Sequence, residues 1–529
     1  MRTVAVIAGA LFAHSASGFL SDIPRLVPPP VKDDESSFGK RSTGQGTFDQ
    51  LIDHSNPSLG TFKQQYWWSD EFYAGPGSPV VFFTPGEVAA AGYTGYLKNT
   101  TITGMMAQAI GGATILLEHR YWGDSVPVPD LSPSNLQYLN LDNNIADVVY
   151  FAQNVKLPFD SNGTSSPSKA PWVMSGGSYS GALAAWTENK APGTFWAYHA
   201  SSAAQNAIGD FWQYFYPIQQ GMPKNCSTDV AKVMEYVDNI LKSGTTEQKQ
   251  ALKDKFGLGG VVHDSDFGNA LQNAPWQWQS HDFTTGYSGF FQWCDYVENA
   301  YEPAFPNATI PGEEGVGLCK ALNGYAKWST DVLVPNNVCG EGSDCYNSYY
   351  SNSSEYTDWS ASNGNRAWTW MLCNQPLEFW QDGAPDGTPT LVSRYVNASY
   401  WQRQCPLYFP PDSGYTYGSG KGITPEDVNA EYGGWNIDNT TRLIYVNGEF
   451  DPWRDSTVSS QFRPGGPLQS TEQLPVKLIP GGIHCSDLTQ RNALANAGVA
   501  EIQAEVVETI TGWVDEFYAE KKIKRQIVR

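Results

Sequence analysis

The chain has 529 residues, 41% of them apolar and 13% aromatic, with a formal net charge of −21. That length exceeds one compact core and calls for a large domain carrying an insertion or a second domain. The acidic balance excludes a nucleic-acid partner, whose phosphates would repel it. Past the N-terminus no stretch approaches the roughly 18 uninterrupted apolar residues of a membrane span, so no membrane partner is expected either.

Residues 1–18 read as a secretory signal peptide: Arg2, the short apolar run Val4 to Ala13, then small residues Ser15-Ala16-Ser17-Gly18. The protein is therefore expected to be secreted. Residues 19–41 are Pro-rich and polar and end in Lys40-Arg41. They read as a pro-segment removed after the dibasic pair; the alternative is a disordered arm that stays attached. They and the signal peptide carry five basic and four acidic side chains, which leaves −22 for the remainder. Such a charge suits solubility in acid, because carboxylates that gain protons shrink it.

The first core part, 42–214, holds four apolar runs that read as buried parallel strands: Pro79 to Phe83, Ala113 to Leu117, Trp172 to Met174 and Phe195 to Ala200. Continuous apolar runs, rather than alternation, fit strands covered by helices on both faces. Leu139 to Val155 carries helical patterning. After Trp172-Val173-Met174 comes Gly176-Gly177-Ser178-Tyr179-Ser180-Gly181 and an Ala-rich helical stretch. Strand, tight small-residue turn and helix form the layout of a nucleophile elbow.

Residues 215–425 read as an insertion over the carboxyl ends of the strands, where ligands bind in such sheets. Asp229 to Leu241 and Thr246 to Phe256 are amphipathic and helical; 335–420 is loop-heavy and rich in Cys, Gly, Asn, Trp and Tyr. The eight cysteines are Cys226, Cys294, Cys319, Cys339, Cys345, Cys373, Cys405 and Cys485. Behind a signal peptide the even count favours disulfides, with a small Cys339–Cys345 loop as one option. Sequons at Asn99, Asn162, Asn225, Asn307, Asn352, Asn397 and Asn439 point to glycosylation. No Cys-x-x-Cys or His-rich spacing suggests a metal, and no cofactor is expected.

The second core part, 426–529, has two more strands, Leu443 to Val446 before Asp451 and Val476 to Ile479 before His484. A helix over Val499 to Glu520 closes it. The whole reads as α/β, a doubly wound sheet, with Ser178, Asp451 and His484 in the chain order of the α/β-hydrolase triad. Ser178 is the candidate nucleophile, since the elbow places it after Gly-x; Ser180 fills the small slot behind it. His484 is the candidate general base and acid, and Asp451 its orienter, with Asp455 as the fallback. The oxyanion hole is expected from the Tyr179 N–H and from the loop Pro85-Gly86-Glu87-Val88, where Gly86 permits close approach. Glu87 faces the pocket or is a surface acid.

Four motifs in order, Glu118-His119-Arg120-Tyr121-Trp122-Gly123, Gly176 to Gly181, Asn447-Gly448-Glu449-Phe450-Asp451-Pro452-Trp453 and Gly482-Ile483-His484-Cys485, resemble the serine peptidase family of lysosomal Pro-Xaa carboxypeptidase and dipeptidyl peptidase II. The resemblance is closest to secreted fungal acid prolyl endopeptidases. It implies an α/β-hydrolase with a mainly helical cap and the triad Ser178, Asp451 and His484. It also implies cleavage after proline in proline-containing peptides at acidic pH, with Trp453 lining the proline pocket. Acidic operation asks that burial keep His484 neutral below about 6.5. An exopeptidase of the same family, with Glu87 reading a substrate terminus, and a lipase or carboxylesterase on the same fold are the rivals. A catalytically silent binding protein is a third.

Overall fold

The computed structural model describes residues 19–20, 23–32, 43–336, 344–437 and 439–522. The signal-peptide reading of 1–18 and the Lys40-Arg41 pair lie outside them. Among the described residues ten strands appear in chain order: β1 (Thr43–Leu51), β2 (Thr61–Ser69), β3 (Val80–Phe83), β4 (Ala113–Leu117), β5 (Trp172–Gly177), β6 (Ala197–Ser201), β7 (Ile208–Asp210), β8 (Glu378–Trp380), β9 (Leu443–Gly448) and β10 (Val476–Ile479). Eight of them form one sheet in the order β1-β2-β4-β3-β5-β6-β9-β10. All six expected strands are present and mutually parallel. The sequence reading missed β1 and β2, an antiparallel hairpin added beside β4.

Neighbouring side chains on a strand enter opposite cores. Val80 and Phe82 join one apolar cluster, Val81 and Phe83 the other. This two-sided burial is the physical reason for the unbroken apolar runs. One face is covered by the helices Leu141–Asn154 and Tyr179–Lys190, the other by Ile102–Ile110 and Ala497–Lys521. Local capping sets their starts: the Asn140 side chain accepts from Asn143 N–H, and Asn496 accepts from the N–H groups of Gly498 and Val499. The molecule is an α/β-hydrolase, with a mainly helical insertion between β6 and β9.

The insertion's helices include Lys224–Ser243, Thr246–Lys255, Asp264–Trp276, Gly289–Val297, Leu318–Trp328 and Gly364–Asn374. A reciprocal capping box between Thr245 and Gln248 begins the second of these. β7, which precedes residue 215, pairs in parallel with β8 inside the insertion. Cys226–Cys294 links two of its helices, and Cys373–Cys405 closes its later part. Cys345 is disulfide-bonded; its suggested partner Cys339 lies outside the described residues. Cys319 is exposed and Cys485 buried, both as free thiols, so the even count does not mean full pairing.

Buried carboxyls in the insertion give a pH prediction. Burial pushes Glu298 and Glu378 up to about 7 and Asp266 up to about 6. Each native carboxyl keeps a proton that the unfolded chain releases near pH 4. Between about pH 4 and 7 the native state therefore binds more protons than the unfolded one, and stability falls as pH rises. Repulsion within the net charge of −21 grows in the same direction. The melting temperature of the Ser178→Ala protein should decline steadily from pH 4.5 to pH 8 (about one to two carboxyl ionisations' range); a flat or rising curve would contradict the burial of these groups.

Candidate active site

The elbow is built from its glycines upward. A Cβ on Gly176 would lie 2.0 Å from Ser180 O, and one on Gly181 would lie 2.7 Å from Ser201 O. Only bare backbone fits between β5, β6 and the helix that follows. Ser180 Oγ accepts from Gly177 N–H (3.0 Å) and donates to Gly177 O (2.8 Å), which closes the turn. Ser178 is thereby held at φ 64°, a left-handed conformation that a non-glycine residue adopts only when its surroundings impose it.

Ser178 Oγ lies 2.7 Å from His484 Nε2, and His484 Nδ1 lies 3.0 Å from Asp451 Oδ1. The three groups stand in hydrogen-bond sequence, the geometry of a nucleophile, base and orienter. Asp451 is fully buried and also accepts from Trp453 N–H at 3.0 Å. The fallback Asp455 instead lies beside Arg454 and accepts from Gln461 N–H. The turn carrying His484 is tied to the end of β6: Ser202 Oγ, just past the strand, accepts from Cys485 N–H. Asp487 meets His199 Nε2 at 2.9 Å and accepts from Ser201 Oγ.

Burial disfavours the His484 imidazolium, but the Cys485 sulfur and the Asp451 carboxylate outweigh it and hold its pKa well above 6.5. The expected depression by burial is thus corrected. A base must be neutral, so kcat/KM should fall as pH drops through a value above about 6.5. A profile measured from pH 4 to 9 that stays flat down to pH 4 would show that the carboxylate does not hold the imidazolium.

Tyr179 N–H, the expected oxyanion donor, points into the cleft and donates to Leu26 O at 3.0 Å. Gly86 sits against the elbow. Its N–H turns to Thr84 Oγ1 at 3.4 Å, and its contribution is conformational, at φ 80°, with a Cβ there coming within 3.0 Å of the Tyr179 ring. Glu87 is not a surface acid. It is fully buried, and burial pushes its pKa up to about 8 against the pull of its own backbone N–H, of Arg25 and of His484.

Trp453 is also fully buried, and its ring meets Phe211, Tyr214 and Phe379 at centroid distances of 5.7, 5.3 and 5.3 Å. Its Nε1 donates to Gln279 Oε1 at 2.7 Å. Phe211, Tyr214, Phe379 and Gln279 were not read from the sequence. The motif Glu118 to Gly123 is built into the scaffold. Glu118 accepts from the N–H groups of Ala90 and Asp124 and from Ser125 Oγ, while His119 Nε2 reaches Tyr179 OH at 3.2 Å. Among the described residues no cluster of His, Cys, Asp and Glu has the arrangement of a metal site. Asn162, Asn307, Asn352, Asn397 and Asn439 are exposed; Asn99 and Asn225 are half-buried.

The family model described as serine carboxypeptidase S28 matches residues 50–506. The chain belongs to the S28 serine peptidases. A serine protease, vicPb, of Bipolaris victoriae (strain FI3) is 41% identical over 96% of this chain and 96% of its own. A probable extracellular serine carboxypeptidase of Arthroderma benhamiae is 30% identical over 86% of this chain and 64% of its own. The human lysosomal Pro-X carboxypeptidase is 23% identical over 89% of this chain and 88% of its own. As an S28 peptidase the protein is a hydrolase of peptides. The S28 match spans β2 through β10, and therefore all three residues of the hydrogen-bonded Ser178, His484 and Asp451 array.

Proposed function

We propose that this S28 peptidase is secreted and cleaves peptide bonds on the carboxyl side of proline, as an endopeptidase, with Ser178, His484 and Asp451 as its triad. Ser178 Oγ attacks the carbonyl while His484 Nε2 takes its proton; His484 then protonates the leaving amine, and a water activated by the same nitrogen releases the acid. Tyr179 N–H stabilises the oxyanion. Trp453, with Phe211, Tyr214 and Phe379 around it, supplies an apolar wall suited to a proline ring, which brings no N–H to satisfy.

One observation carries the endopeptidase reading. The chain's own residues 23–32 pass through the cleft beside Tyr179, with polypeptide continuing on both sides of Leu26. A cleft that admits chain on both sides accepts an internal bond. The family description and the Pro-X relatives favour a carboxypeptidase instead, so the test separates the two. An internally quenched peptide with one central proline and blocked termini is expected to be cut after proline by chain processed beyond residue 41. Turnover only when the carboxyl terminus is free would replace this reading with the exopeptidase one, and turnover of nitrophenyl esters alone would favour an esterase.

A further inference from the structure

Residues 19–20 and 23–32 are built into the molecule. Phe19, Leu20, Ile23 and Leu26 are buried, and Phe19 meets the edge of Tyr356 at 5.1 Å. The sequence offered either a removable pro-segment or a disordered arm; over residues 19–20 and 23–32 the segment is packed.

The segment's backbone is bonded along its length. Leu20 N–H donates to Gln404 Oε1 at 3.0 Å. Arg25 O accepts from Gln279 Nε2 at 2.8 Å, and Leu26 O from Tyr179 N–H at 3.0 Å. Pro28 O and Pro29 O accept from the hydroxyls of Tyr93 and Tyr96, and Val31 O from Gly95 N–H at 2.7 Å.

Two of these contacts belong to the catalytic cleft. The donor to Leu26 O is the N–H of the residue after the nucleophile, where the carbonyl of a scissile bond belongs. The donor to Arg25 O is Gln279, whose Oε1 accepts from Trp453 Nε1 and from Tyr214 OH (3.1 Å), so the segment is tied to the aromatic wall. Arg25 reaches from the same stretch to Asn365 and to Glu87 O. Pro28-Pro29-Pro30 stiffens the run beyond Leu26, since proline fixes φ and lowers the entropy lost on binding.

We propose that residues 23–32 are a tethered peptide occupant of the S28 cleft, set in substrate register with Leu26 before the scissile position, and that the unprocessed chain is latent because of it. This rests on the assignment of Ser178 as nucleophile. Gln279 becomes a substrate-binding residue that holds the carbonyl one residue before the scissile one. The occupant resists cleavage because leucine, not proline, stands before the scissile position. Pro24 lies two residues out of register. Tethering gives the segment a millimolar effective concentration, and cutting after Arg41 converts it into a free peptide that dissociates on dilution.

The test uses full-length chain, its Arg41→Ala variant and a dibasic-specific endoprotease, with fluorophosphonate labelling of Ser178 and quenched-peptide turnover as readouts. Uncut chain is expected to label roughly a hundredfold more slowly than chain cut and diluted. Arg41→Ala should stay slow after protease treatment. Leu26→Asp should label fast without any cut, and synthetic 19–32 peptide should slow the cut enzyme competitively. Equal labelling before and after the cut overturns the proposal. Fast labelling of cut chain without prolyl turnover sustains latency and overturns only the proline specificity. Failure of cut chain to label at all overturns both the nucleophile assignment and the proposal.

Discussion

Replacing Ser178 with alanine should lower kcat/KM by roughly 10⁶-fold and leave the melting curve nearly unchanged. The hydroxyl 2.7 Å from His484 Nε2 is its own, and the neighbouring Ser180 Oγ is committed to both the N–H and the O of Gly177. Ser180→Ala should show the reverse pattern. Loss of those two bonds at a buried turn costs about 1–3 kcal/mol, while turnover stays within roughly tenfold because the oxyanion donor Tyr179 and the base remain. The pair is compared in processed enzyme, by active-site labelling for the nucleophile and by urea midpoint for the turn. A Ser178→Ala protein that still labels would remove Ser178 from the mechanism.

Asp147→Ala should destabilise the fold by about 3–5 kcal/mol, the largest stability effect expected of a single site here. Arg120 is fully buried at the end of β4. Its Nε donates to Asp147 Oδ2 at 2.6 Å and its Nη2 to Oδ1 at 2.5 Å. The remaining N–H groups go to the carbonyls of Leu51, Ile52 and Tyr138. Removing the carboxylate strands a buried guanidinium without its charge partner. It also takes the partner of His54 Nε2, 2.8 Å from Asp147 Oδ1. Three segments are pinned at that point: the β1–β2 turn, β4 and the helix Leu141–Asn154. The midpoint of urea unfolding, at unchanged slope, measures the loss. A shift equivalent to less than about 1 kcal/mol would show that the pair behaves as a surface ion pair. Asp147→Asn keeps two bonding atoms and should fall between the two.

What could be read from the sequence follows from how local each feature is. The elbow is six consecutive residues whose sizes dictate a tight turn, and the central strands are unbroken apolar runs because each feeds two cores. The hairpin β1–β2 escaped for the same reason. Its first strand, Thr43–Leu51, is half-exposed along most of its length, so it lacks the run that marks a doubly covered strand. The wall around Trp453 was out of reach altogether. Phe211, Gln279 and Phe379 come from distant parts of the insertion, and Phe379 enters through two successive left-handed residues, Glu378 at φ 55° and Phe379 at φ 53°. No local pattern announces such a convergence. The raised imidazole of His484 was misjudged because burial alone was weighed, without the charge of Asp451 and the Cys485 sulfur beside it.

Ser178 and His484, the proposed nucleophile and base, are 306 residues apart in the chain. At a synthesis rate of about 5–20 residues per second, Ser178 leaves the ribosome roughly 15–60 s ahead of His484. Throughout that interval the nascent chain holds a serine without a base. By the time the last turn of the core delivers the histidine, the segment that fills the cleft has been waiting since the first seconds of translation.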